Sequence, residues 1–156
     1  MSKAKVERVK KGLAIRVNYK GLDVTSLLGL KAGGTVELLG QIKRGLGYSS
    51  IEHFIREADL PRDEAIDLVQ ISTRTLARRK ERGRLSPDES DRLVRAARIV
   101  SQARRLFEGD ADAANRWLKT SQPALGGSTP TEYAKSEIGA REVEALISRL
   151  EHGVFS

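Results

Sequence analysis

The sequence predicts an all-α protein of about seven or eight helices. Apolar residues recur at the i, i+3, i+4, i+7 spacing of a helix with one buried face, most clearly in the sets Ile51, Phe54, Ile55, Ala58 and Val143, Leu146, Ile147, Leu150. Two segments open with a capping residue, a proline and a glutamate, which is typical of a helix start: Ser86-Pro87-Asp88-Glu89 and Thr129-Pro130-Thr131-Glu132. Charged residues make up 31% and hydrophobic residues 39% of the chain, which suits a helix-rich protein with a core.

Composition also excludes several classes of function. The 156 residues are enough for one domain or two small ones. The chain has no cysteine, so disulfides and thiolate metal sites are excluded, and its two histidines lie in unrelated segments. Because no nucleophile, base or metal cluster stands at a known spacing, we predict no catalytic residue, no metal, no cofactor and no enzyme activity. No apolar run has the length of a membrane span, so we expect a cytoplasmic protein.

The net charge of +7 is unevenly distributed. Residues 1–20 hold seven basic residues and one acidic residue, and residues 72–84 hold six basic and one acidic. The rest of the chain is therefore mildly acidic. Two basic patches on an acidic body predict binding to a polyanion, and the alternative is a solvated surface with a charged tail.

The first two segments are a basic arm and a helix. Residues 1–34 are predicted to be a partly disordered arm that either follows DNA phosphates or remains a free tail. The alternation of Leu13, Ile15 and Val17 in it is a weak strand signal. Val36 and Leu39 predict an amphipathic helix from residue 35 to about residue 45, in which both side chains are expected to be buried. A capping box is then expected to start the next helix at Ser49-Ser50-Ile51-Glu52.

Residues 60–83 predict two short helices that meet at a tight turn. Asp63 and Glu64 suit a first helical turn, Gln70 lies in the turn, and Ser72 is a good N-cap for a second helix over residues 73–82. This is the outline of a helix-turn-helix, whose second helix enters the major groove. The alternative is a helical hairpin with a solvated basic face. The predicted DNA contacts are Ser72, Thr73, Arg74, Thr75, Arg78, Arg79 and Lys80.

This stretch resembles the helix-turn-helix of Xre/Cro-type repressors, with ISTRTLARRKERG at residues 71–83 as turn and second helix. Ile66 stands where these repressors usually have a small residue, and Gln70 where they usually have glycine. A non-glycine residue with positive φ is uncommon but tolerated, so a differently shaped turn is expected.

The second half predicts four further helical pieces. Ser86 starts a long helix to about residue 108, whose length suits a spine between two subdomains or a dimer contact. Asp110 or Asp112 caps a helix through Trp117, and Thr129 caps a short one that Gly139 is expected to end. A final helix is predicted over residues 141–151.

Residues 86–156 resemble the toxin-binding domain of Xre/MbcA/ParS-type antitoxins. Three ordered motifs carry the resemblance, namely AANRWL at residues 113–118, PALGGSTP at residues 123–130 and GAREVEALISRLEHGV at residues 139–154. The predicted domains are therefore a basic arm at residues 1–34, an Xre-like helix-turn-helix domain at residues 35–98 and a toxin-binding domain at residues 99–156.

The resemblance implies an antitoxin of a RES-domain toxin, an enzyme that degrades NAD. Such an antitoxin covers the active site of the toxin with its C-terminal domain and represses their shared operon through the helix-turn-helix. The implied partners are the RES-domain toxin and operator DNA. Because a single helix-turn-helix rarely suffices, we also predict a homodimer. The predicted toxin contacts are Trp117, Tyr133, Arg149, His152, Val154, Phe155 and Ser156. The alternative is a stand-alone transcription regulator with a C-terminal dimerisation domain.

Overall fold

The all-α prediction is confirmed by a computed structural model, which describes residues 5–8, 15–18, 23–31 and 33–153, the first two ranges by their backbone alone. Two antiparallel strands, β1 (Lys5–Arg8) and β2 (Ile15–Asn18), pair with Lys5 opposite Asn18. The rest of the described chain is helical or connects helices. The helices are α1 (Val24–Leu27), α2 (Thr35–Arg44), α3 (Tyr48–Glu57), α4 (Arg62–Val69), α5 (Thr73–Arg82), α6 (Pro87–Leu106), α7 (Ala111–Leu118), a 3-10 turn (Pro123–Leu125), α8 (Pro130–Tyr133) and α9 (Glu137–Glu151).

Helix α6 is the spine of the fold. Its 20 residues span about 30 Å, and it contacts α1, α2, α4, α7 and α9. The capping box at its start is present in full, because Ser86 accepts from the Glu89 N–H while Glu89 accepts from the Ser86 N–H. Leu93, Ala97 and Val100 are fully buried along it. Helix α6 thus contacts helices that precede it and helices that follow it in the chain.

The apolar face of α2 differs from the prediction. Val36 is 85% exposed and Leu39 is 52% exposed, so the expectation that both are buried is wrong. The helix instead packs Leu38 and Ile42 against the core. These two residues also lie at helical spacing, and the sequence pattern does not decide which face of α2 meets α6. Leu27 and Leu28, which the prediction assigned to the arm, are buried.

The predicted capping box at Ser49 is also wrong. Helix α3 begins at Tyr48 after Gly47, and no side chain caps it. The Glu52 carboxylate instead accepts from the Tyr48 hydroxyl and from Arg62, 3.0 Å away. One partner lies in the same helix and the other in α4, and together they replace the cap that the sequence pattern predicted.

The boundary between α8 and α9 lies earlier than predicted. Gly139 does not end a helix but is the third residue of α9, which begins at Glu137 rather than at residue 141. Ser136 caps the helix by accepting from the Gly139 N–H at 3.0 Å. A Cβ on Gly139 would lie 1.7 Å from the Tyr133 carbonyl oxygen, so the end of α8 packs directly onto the first turn of α9.

Within the described residues, no helix combines the length and apolar character that crossing a bilayer requires.

Candidate functional site

The helix-turn-helix consists of α4 and α5, and Gln70 in its turn is left-handed, so the expectation of a differently shaped turn is wrong at this residue. Gln70 adopts φ 58, the conformation that glycine usually supplies, and its N–H donates to the Asp67 carbonyl at 3.1 Å. The side-chain amide of Gln70 also donates to the backbone carbonyl of Lys135, in the connection between α8 and α9. Glutamine therefore adds a tertiary contact that glycine would lack.

Helix α5 begins and ends as the sequence predicts. Ser72 caps it by accepting from the Thr75 N–H at 3.1 Å, and Gly83 ends it with φ 75. The Ser72 hydroxyl also donates to the Thr75 hydroxyl at 3.0 Å. Leu76 is 4% exposed and fixes the buried side of α5. The hydroxyls of Ser72 and Thr75 are thus already part of the cap.

The outer face of α5 carries positive charge that is not neutralised. Thr73, Arg74, Arg78 and Lys80 are exposed. Arg74, Arg78 and Lys80 form no ion pair with any residue that the structure describes. Arg74 and Arg78 lie four residues apart on one helix face and are suited to phosphate oxygens and guanine edges, whereas Lys80 projects from another side of the helix.

Arg79 was predicted to be a DNA contact on the solvent side of α5, but its side chain is paired with Glu89 of α6. Its guanidinium donates to both Glu89 oxygens at 2.8–3.1 Å, and the side chains of Arg79 and Glu89 are 16% and 8% exposed. Burial raises the pKa of Glu89, but the hydrogen bonds from Arg79 and Ser86 outweigh it and leave that pKa lowered. Arg79 therefore joins α5 to α6 instead of extending toward a ligand. The sequence gives no sign of this, because a basic face looks the same whether or not one member is paired.

A second group of cations lies at the C-terminal end of α5. Arg44 and Arg84 line an open groove of about 230 Å³ together with Leu30, Gln41 and the backbone of residues 45–47. The Arg84 guanidinium donates to the Gly45 carbonyl at 2.8 Å, and the Leu85 N–H donates to the Leu46 carbonyl at 2.8 Å. These bonds join the loop after α5 to the loop after α2 and hold Arg84 in place. The predicted DNA contacts did not include Arg44, because it ends α2 and is distant in sequence from α5.

The C-terminal elements pack onto the helix-turn-helix. The Lys135 ammonium lies 2.8 Å from the Asp67 carboxylate of α4. The backbone carbonyl of Lys135 accepts from Arg95 of α6 at 3.4 Å and from the Gln70 side chain. Glu137 pairs with Arg95 at 2.9 Å and with Arg98 at 3.3 Å. Partial burial raises the pKa of Glu137, but these arginines outweigh it and leave that pKa lowered. The connection between α8 and α9 is therefore held from both sides.

The predicted toxin contacts fall into two groups. Trp117 is half-buried, and its ring centre lies 6.4 Å from that of Phe107. It is next to Leu118, whose carbonyl accepts from Thr131 at 3.2 Å, so it lies near the start of α8. Tyr133, which is 37% exposed, ends that helix.

The second group lies at the other end of α9. Arg149 is half-buried and His152 is exposed with Nδ1 2.7 Å from the Ser148 carbonyl. From Gly139 to His152 the helix rises about 20 Å. The structure thus does not bring Tyr133 and His152 together. Val154, Phe155 and Ser156 lie outside the described residues.

Sequence reasoning also missed Ile138. It is 79% exposed in the first turn of α9, and an apolar residue there gives no sequence signal that it faces solvent. No group of three or more histidine or acidic side chains that could hold a metal occurs among the residues described.

Comparison with known proteins places both halves in one family. The antitoxin Xre-like helix-turn-helix domain matches residues 37–98, and the antitoxin Xre/MbcA/ParS C-terminal toxin-binding domain matches residues 102–153. An Antitoxin Xre of Yersinia enterocolitica is 38% identical over 130 residues, which cover 83% of this chain and 88% of that protein. An Antitoxin Xre of Photorhabdus laumondii is 32% identical over 116 residues, or 74% of this chain and 78% of that protein. A Prs ADP-ribosylating antitoxin of Sphingobium sp. is 25% identical over 152 residues, or 92% of this chain and 96% of that protein. The chain belongs to the Xre antitoxin family.

Proposed function

We propose that this chain neutralises a RES-domain toxin through residues 99–156 and represses the shared operon through α5. The observation that carries the proposal is that one chain holds both a cationic helix face and a toxin-binding domain, and that α6 contacts α4 of the helix-turn-helix as well as α7 and α9. A stand-alone regulator with a C-terminal dimerisation domain would explain the helix face but not the family of the second half. The gene next to this one distinguishes the two, because only an antitoxin requires a neighbouring RES-domain gene.

The DNA-binding part of the proposal rests on Arg74 and Arg78, with Lys80 as a proposed contact from another side of α5. Helix α5 is about 15 Å long, and its exposed side meets a major groove about 12 Å wide. Arg44 and Arg84 then lie where the helix leaves the groove, which suits contacts to the flanking phosphates. Thr73 is exposed beside the N-terminal end that reads bases. A single helix-turn-helix covers one half-site, so a homodimer on a two-fold operator is part of the proposal.

The toxin-binding part of the proposal includes the activity of the toxin that the chain blocks. The proposed activity of the toxin is degradation of NAD. The Sphingobium relative is named a Prs ADP-ribosylating antitoxin, which favours a second candidate, a toxin that transfers ADP-ribose from NAD to a protein. Both candidates consume NAD, and only the second leaves a modified protein.

Co-expression tests the neutralising function. Cells that express the RES-domain toxin encoded beside this chain should stop growing and lose NAD, and the full chain should restore both. If NAD falls while a protein gains ADP-ribose, the second candidate replaces the first. Continued growth arrest with the full chain present at equal level would refute neutralisation.

Operator binding tests the DNA-binding function separately. The double variant Arg74→Ala, Arg78→Ala should lower operator affinity and flatten the log–log salt dependence by about 0.9 for each lost phosphate contact. It should still protect cells from the toxin. Unchanged affinity and salt slope would show that α5 is not the DNA-binding helix.

A further inference from the structure

The α8–α9 corner, which we define as Tyr133 and Ile138, holds the exposed large hydrophobic residues of the C-terminal half up to residue 153, where the described chain ends. In the part of the chain that the structure describes, four large hydrophobic residues are exposed: Val36, Leu39, Tyr133 and Ile138. Only Tyr133 and Ile138 lie within the span that matches the toxin-binding domain. Ile138 at 79% exposure makes little contact with the core, although Ala140 and Val143 in the same helix are fully buried.

The two side chains of the corner belong to one compact backbone unit. The Tyr133 carbonyl packs against Gly139, the residue after Ile138, at a distance that a Cβ on Gly139 would not permit. A larger residue at position 139 would separate the end of α8 from the start of α9. Glycine therefore keeps Tyr133 and Ile138 at the same corner.

Contacts from the residue after α4 and from α6 also fix the backbone of the corner. The carbonyl of Lys135, midway between the two residues, accepts from Gln70 and from Arg95. Glu137, which precedes Ile138, is bound by Arg95, Arg98 and Arg141. Because the backbone is fixed in the free protein, a partner that binds here does not bear the cost of ordering it.

The surroundings have the composition of an interface. Glu132, Arg141 and Glu142 are exposed around the corner, so a charged rim surrounds an apolar centre. Tyrosine is among the residues that most often contribute strongly to binding at such centres.

We propose that the α8–α9 corner is a toxin-docking surface, with Ile138 as its anchor, in addition to any contact made by the C-terminal tail. This inference rests on the proposed function, because it takes the toxin as the occupant. The match to a toxin-binding domain over residues 102–153 supports that choice. The corner lies about 20 Å along α9 from His152, so it is separate from the predicted contacts at the end of the helix.

The chain offers a matched pair of variants for the test. Ile138 is the second residue of α9 and Val36 is the second residue of α2, and both are exposed aliphatic side chains. Aspartate in the first turn of a helix suits the helix dipole, so Ile138→Asp and Val36→Asp should both fold. Equal thermal midpoints and normal operator binding by Ile138→Asp would verify this.

Calorimetric titration into a catalytically inactive RES-domain toxin measures the contribution of each position. Ile138→Asp should weaken binding at least about 30-fold, the size of a hot-spot loss, while Val36→Asp should stay within about twofold of the wild type. Deleting residues 153–156 should weaken binding by a separate factor that multiplies with that of Ile138→Asp, because Ile138 and Gly153, where the deletion begins, lie at opposite ends of α9.

Each other result overturns a defined part of the account. If the wild type binds the toxin and Ile138→Asp binds equally well, the corner is not a docking surface, while the proposed function stands. If Val36→Asp loses as much affinity as Ile138→Asp, the effect is not specific to the corner and the proposal fails. If the wild type itself does not bind, the proposed function fails and the corner proposal fails with it.

Discussion

Two helix-interior glycines should respond to alanine in opposite directions. Glycine inside a helix is less stable than alanine by about 0.5–1 kcal/mol. Gly40 lies inside α2, and an added Cβ would meet only the end of the flexible Arg44 side chain, at 3.4 Å. Gly40→Ala should therefore stabilise the protein by about that amount.

Gly139→Ala should instead destabilise it. The added Cβ would lie 1.7 Å from the Tyr133 carbonyl oxygen and 2.8 Å from its carbon. A backbone group cannot rotate away as a side chain does, so α8 has to move from α9. Overpacking of this kind costs about 1–3 kcal/mol, which exceeds the helix gain.

Thermal unfolding followed by circular dichroism separates the two variants. A change of 1 kcal/mol shifts the midpoint of a chain of this size by about 2–4 °C. Gly40→Ala should raise the midpoint by about 1–4 °C, and Gly139→Ala should lower it by about 2–12 °C. If Gly139→Ala raises the midpoint as Gly40→Ala does, the close approach of α8 to α9 is refuted, and with it the basis of the corner.

Two further predictions follow from the ion pairs. Arg79→Ala should lower the thermal midpoint without changing the salt slope of operator binding, because Arg79 is paired with Glu89. A reduced salt slope with an unchanged thermal midpoint would instead show that Arg79 contacts DNA. The folded protein lowers the pKa values of Glu52, Glu89 and Glu137. The three carboxylates therefore stabilise the fold fully at pH values above the ordinary glutamate pKa of about 4.3. This stabilisation is lost as the pH falls through their lower pKa values in the folded protein. Urea unfolding at pH 7, 5, 4 and 3 should show a free energy of unfolding that declines below about pH 5, and an increase on acidification would contradict this assignment.

Local signals predicted most helix starts correctly. Ser72, Ser86, Asp110 and Thr129 each cap a helix as their sequence neighbourhoods indicated, because a cap needs only residues three positions apart. Where the same signal failed, at Ser49, Glu52 had found partners in Tyr48 and Arg62. A tertiary contact had replaced the local one.

Contacts between distant residues were the part that the sequence did not reveal. The pairing of Arg79 with Glu89 and the exposure of Val36 depend on how α5 and α2 pack against α6. The position of Tyr133 against the first turn of α9 depends on the close approach at Gly139, which was predicted to end a helix. The family resemblance identified the correct half of the chain for toxin binding, but the choice of residues within it stays a prediction.

The most direct test of the central claim is a titration of the purified chain into an NAD-consumption assay of the purified RES-domain toxin. NAD consumption should fall linearly with added chain and stop at a fixed stoichiometric ratio, both for the wild type and for the Arg74→Ala, Arg78→Ala double variant. An unchanged rate of NAD consumption with the wild-type chain in excess would contradict the account.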